Sequence, residues 1–133
     1  MQQTPPPAGA LPDLTSDDKT WAALSHATIL LAVLSGGPLG PLAAFAIWLV
    51  KQDKSPYVRR QAMQSLIYQI VMLAVTWSMW LAIGLLSAVL VGLCCIPAGL
   101  IISLLSVVYG CYAAYECSQG RSFSYWLIGD LIA

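Results

Sequence analysis

The chain has 133 residues, of which 59% are hydrophobic and 9% charged, with no net charge. That usage excludes an ordinary soluble domain and places the protein in the membrane class, with the lipid bilayer as its expected surroundings. Nucleic acid is excluded as a partner, because replacing phosphate counterions takes dense Lys and Arg, and the one short basic run is Lys51–Arg60.

Met1–Pro12 has neither the positive charge nor the apolar core of a signal peptide. Residues 1–14 are expected to be a solvated, disordered, proline-rich tail, and residues 15–133 one membrane domain. Thr15 or Ser16 can cap a first helix, with Asp17 and Asp18 where a helix N-terminus favours negative charge. Thr20–Val50 then contains no Asp, Glu, Lys or Arg. The segment before Gly36-Gly37-Pro38 rises about 20 Å and the return helix Pro41–Val50 about 15 Å, so neither crosses a core about 30 Å thick. A short hairpin with a re-entrant Gly/Pro tip fits these lengths. A second topology makes Ile29–Val50 a single span with the N-terminus outside.

Beyond the polar turn Lys51–Ser55, the chain from Pro56 to about Val91 carries no helix breaker and would be roughly 54 Å long. Its first three turns, with Arg59 and Arg60, are expected at the membrane interface. Trp77 and Trp80 fall at mid-depth, where they are expected to pack against protein. After a break at Gly92–Pro97, a last helix from about Pro97 to Cys117 carries Gly99, Ser103, Ser106, Gly110 and Ala113 on one face. Small residues at such spacing let membrane helices approach closely, either within the bundle or in a second copy.

The fold class is therefore all-α, a polytopic membrane protein of about four helices: a short N-terminal hairpin plus two full transmembrane helices. The cations Lys19, Lys51, Lys54, Arg59, Arg60 and Arg121 all fall on one side of this arrangement. The positive-inside rule makes that side cytoplasmic, with both termini there, in a multi-pass protein of the cytoplasmic (inner) membrane. Lys51, Lys54, Arg59 and Arg60 are its cytoplasmic-face charges, and Glu116 and Asp130 are candidate ion-pair partners for Arg59, Arg60 and Arg121.

The single histidine, His26, lies about 10 Å beyond Lys19 on the first helix, in apolar sequence. An intramembrane ionisable group is a functional candidate, and a neutral imidazole is also a competent interhelical tether. Gln61, Gln64, Tyr68 and Gln69 complete the candidate polar site. One histidine without a nearby carboxylate makes no metal site. Cys94, Cys95, Cys111 and Cys117 contain no C-x-x-C, and Ser residues lack the companions of a nucleophilic triad. No enzyme, cofactor or metal is expected.

The segment Tyr57-Val58-Arg59-Arg60-Gln61-Ala62-Met63-Gln64-Ser65-Leu66-Ile67-Tyr68-Gln69 resembles the signature of the Tic-twenty-like family, small bacterial and archaeal membrane proteins similar to a chloroplast import translocon subunit. Ser25-His26, the Gly/Pro turn before Lys51, Gly120-Arg121-Ser122-Phe123 and Ile128-Gly129-Asp130 agree with it. Gln61 stands where that family often has histidine. The resemblance implies a four-helix membrane domain. The functional expectation is a non-enzymatic module that packs with itself or with other membrane proteins. The alternative is a channel or translocation component, an oligomeric pore lined by His26, Gln61, Gln64, Gln69, Thr76 and Ser78.

Overall fold

The computed structural model describes residues 14–126 and residue 128. The helices are α1 (Ser16–Ala27), α2 (Ile29–Ser35), α3 (Leu39–Lys51), α4 (Pro56–Ser87) and α5 (Val91–Ser118). The expected tail at residues 1–14 lies almost wholly outside the described residues, as does Asp130. Only Thr28 separates α1 from α2, and its own backbone is right-handed helical, so the two form one interrupted rod and the architecture is four rods. Residues 21–50 are thus two legs of a hairpin rather than a single span.

Thr15 caps α1 through a reciprocal capping box: its hydroxyl accepts from the Asp18 N–H at 3.1 Å, and its own N–H donates to Asp18 Oδ2 at 3.4 Å. Burial pushes the Asp18 carboxyl up, but hydrogen bonds from Thr15 and Ser55 and the charge of Lys51 outweigh it and leave the pKa below the ordinary 3.8. A depressed folded pKa contributes stability above the unfolded value that is lost as pH falls through the folded one. Thr15→Ala is expected to cost about 1 kcal/mol near neutral pH, with a smaller deficit near pH 3, read from thermal unfolding in detergent at the two pH values.

Gly36 ends α2 in the left-handed conformation at φ 71°, which a residue without Cβ adopts freely. The return helix starts at Leu39, two residues earlier than Pro41, because Pro38 takes its N-cap and Pro41 falls in its first turn, where a missing N–H costs little. The tip lies against α4: a Cβ on Gly37 would meet Leu73, and Trp77 Nε1 donates to Gly36 O at 3.3 Å. Leu73 is about 26 Å along α4, counted from Pro56 at 1.5 Å per residue, so the hairpin accompanies only about half of that helix.

Ser55 caps α4 with Pro56 in its first turn. At 32 and 28 residues, α4 and α5 are about 48 and 42 Å long, enough to cross a bilayer. Their most apolar windows have mean hydropathy 2.0 and 2.5, yet only 6% and 11% of those windows is buried. Leu81, Leu85 and Leu104 point outward, which a soluble core helix would not allow and lipid requires.

The break between the long helices lies at Ala88–Leu90, ahead of the expected Gly92–Pro97. Leu90 takes the left-handed backbone at φ 65°, and Pro97 is carried inside α5. Gly92 is needed for proximity: a Cβ there would collide with Ile83 O and Ser87 N of α4. Trp77 is also a correction, being 61% exposed with only its indole N–H engaged by the hairpin tip, whereas Trp80 is half-buried and donates to Ser103 Oγ at 3.3 Å.

The charged ends gather at one end of the bundle. Lys51 Nζ pairs with Asp17 Oδ2 at 3.1 Å, Tyr57 donates to Arg121 O at 2.8 Å, Arg121 pairs with Glu116 at 3.1 Å, and Lys19 lies against Gly120.

Candidate functional site

Helices α1, α4 and α5 and the segment after α5 enclose a polar cluster inside an otherwise apolar protein. Its centre is His26, 1% exposed. His26 Nε2 lies 3.1 Å from Gln61 Oε1 and Nδ1 lies 3.0 Å from the Tyr125 hydroxyl. Cys117 Sγ also donates to Gln61 Oε1, at 3.4 Å. Two donors converging on one amide oxygen assign the imidazole as the Nε2–H tautomer, with Nδ1 accepting from Tyr125. Both ring nitrogens of a neutral histidine are then satisfied, and α1, α4, α5 and the C-terminal segment are tied at one point.

Aromatic rings close over this point. Tyr125 stacks on Tyr68 with centroids 4.0 Å apart, Phe123 meets His26 edge-on at 6.0 Å, and Tyr109 packs edge-on against both Phe123 and Tyr125. Tyr68 spends its hydroxyl on Ser106 O of α5, at 2.8 Å.

A second knot follows one turn along α1. Thr28 interrupts the helix, and the Ser25 carbonyl accepts from Thr28 Oγ1 at 2.7 Å and from Ser65 Oγ of α4 at 2.6 Å. Gln69 Nε2 donates to Thr28 Oγ1 and to Ser65 Oγ, both at 2.8 Å. A distorted helix survives in apolar surroundings only where neighbouring groups take up its polar atoms, and Ser65 and Gln69 do that here. Gly40 of α3 admits the amide, since a Cβ would fall 2.5 Å from Gln69 Oε1.

Of the residues singled out from sequence, His26 and Gln61 meet directly, Gln69 joins the Ser25–Thr28 knot, and Tyr68 binds α5 rather than His26. Gln64 is fully buried, and among the described residues neither end of its amide has a partner. Tyr125, Ser25, Thr28, Ser65 and Cys117 were missed. Tyr125 is 99 residues from His26, and its signal is the aromatic pair Phe123 and Tyr125, alternating with serine after Gly120. The small face of α5 lies inside the bundle: Gly99 against Ile83 and Trp80, Ser103 at the Trp80 indole, Gly110 against Ile29, Ser106 at Tyr68, and Ala113 buried in the core. Lys51 pairs with Asp17, while Lys54, Arg59 and Arg60 are exposed.

The cluster does not line a passage. His26, Gln61 and Gln64 are packed in protein and Ser78 faces outward, while Gln69 and Thr76 border one apolar cavity of about 470 Å³ between α2, α4 and α5. The pore alternative has no geometrical support in these helices.

A family model described as the MamF/MmsF magnetosome magnetite crystal formation protein family matches residues 17–132. No curated protein and no solved structure matches the chain. The family match overturns the Tic-twenty-like resemblance. The segment that carried it supplies Val58, Gln61, Ala62, Gln64, Tyr68 and Gln69 to the buried face of α4, so its pattern records how a helix is packed rather than what the protein does.

Proposed function

Because the chain belongs to the magnetosome magnetite crystal formation protein family, we propose that it is a non-enzymatic, helix-packing membrane module that takes part in magnetite crystal formation from within the membrane enclosing the crystal. The observation that carries this reading is the inside-out distribution of the chain. Its polar groups tie the bundle together internally, and its two longest helices turn leucine and valine outward along most of their length. Such a surface meets lipid or other membrane helices.

Among the described residues no three His, Cys, Asp or Glu side chains come together. The protein's contribution then runs through assembly with itself or with other proteins of that membrane. His26 supports the same reading, since both its ring nitrogens are engaged in tethering the bundle.

The test is complementation of a strain lacking the gene, with magnetite crystals measured by electron microscopy. Wild-type protein is expected to restore crystal dimensions. A variant with Leu81, Leu85 and Leu104 changed to alanine is expected to reach the membrane but leave the crystals altered. Full restoration by that variant, or unaltered crystals in the deletion strain, would contradict the proposal.

A further inference from the structure

A pocket of about 470 Å³ lies where α3 ends and α4 begins, lined by Trp48, Pro56, Arg59, Arg60 and Met63. We infer that this pocket binds the phosphate headgroup of an anionic membrane lipid, held by the Arg59 and Arg60 guanidiniums against the Trp48 ring. The inference does not rest on the family reading above.

Three features carry it. Arg59 and Arg60 are exposed and make no ion pair among the described residues, whereas Lys51 and Arg121 are both paired. Two free guanidiniums on successive residues of one pocket offer the forked donor geometry that suits phosphate oxygens. Trp48 lines the same pocket and gives it an apolar wall beside the two guanidiniums. The charge balance has the right sign, with four cations and one carboxylate between Lys51 and Arg60.

The position selects a lipid over a soluble anion. Arg60 immediately precedes the charge-free run that opens at Gln61, so the guanidiniums lie at the edge of the apolar layer. Met63 forms the pocket wall on that side, and Phe45, stacked on Trp48 at 5.9 Å, and exposed Ile70 continue an apolar surface along α3 and α4. A diacyl lipid would lay its chains along this surface with its phosphate between the arginines.

The test uses the full-length protein in mild detergent, titrated with phosphatidylglycerol or phosphatidylcholine and followed by non-denaturing mass spectrometry. Phosphatidylglycerol is expected to bind more tightly, and R59Q/R60Q to weaken it about 30-fold, from two basic contacts near a membrane surface. W48A removes an apolar wall of the pocket and is expected to weaken binding a few-fold, while K54Q, outside the pocket, leaves it within about twofold. Equal affinity for the two lipids, or a loss in K54Q as large as in R59Q/R60Q, would overturn the assignment. Displacement of the lipid by millimolar inorganic phosphate would assign the pocket to the free anion and overturn it too. The wild-type comparison of the two lipids decides the matter even should the double variant fold poorly.

Discussion

Replacing His26 by leucine is expected to destabilise the protein by about 3 kcal/mol, measured by unfolding in detergent or in bicelles. The substitution removes both bonds of a ring that is 1% exposed and leaves the Tyr125 hydroxyl without its acceptor and Gln61 Oε1 with Cys117 alone. An orphaned buried polar group costs about 1–3 kcal/mol, whereas a single hydrogen bond between membrane helices averages only about 0.6. The orphaning, more than the lost bonds, sets the size. It follows that His26→Leu and Gln61→Leu are not additive: the double variant removes both faces of the contact and should be less destabilised than the sum of the single ones. Strict additivity would mean that the two side chains do not meet.

The second large effect is at a glycine. Gly92→Ala is expected to cost about 3 kcal/mol or to prevent folding, because the added methyl meets Ile83 O and Ser87 N, which are backbone atoms of α4 and cannot rotate away. Gly84 is the internal control. It lies in α4 only eight residues earlier, and a Cβ there would have no neighbour within 4 Å among the described residues. Gly84→Ala should stabilise the helix by up to about 1 kcal/mol, since alanine is the better helix former. Melting temperatures of the two variants should move in opposite directions. A shared direction would place the α4–α5 turn elsewhere.

The long apolar helices, the capped start at Thr15 and the glycine-ended α2 were legible because each depends on local properties: run length, an oxygen at the N-cap, a residue free to take positive φ. The α4–α5 turn was misplaced for the same reason. Reading for Gly and Pro pointed to Gly92–Pro97, but the chain turns on Leu90, and the glycine serves a contact between helices that no local signal encodes. His26 and the glutamines were visible as polar groups in apolar sequence, yet their pairing was not. A partner 99 residues away is determined by the bundle, and the one-turn register of α4 separates Gln61, which reaches His26, from Gln64, which does not. Trp77 shows the limit of composition, since an aromatic ring at mid-depth faces lipid or protein with equal ease and only the hairpin tip decides. The membrane setting was legible from run length, but the family was not, because the α4 pattern that looked like a family signature is the buried face of a helix.

One histidine in the chain makes a direct measurement available. The nitrogen-15 spectrum of imidazole-labelled protein in lipid, taken by solid-state NMR, reports a single ring without ambiguity. The account predicts a neutral Nε2–H tautomer with slow proton exchange, whose shifts change on Gln61→Leu and on Tyr125→Phe. An Nδ1–H tautomer, or a ring exchanging freely with water and indifferent to both substitutions, would contradict the polar lock on which the rest of the structure is hung.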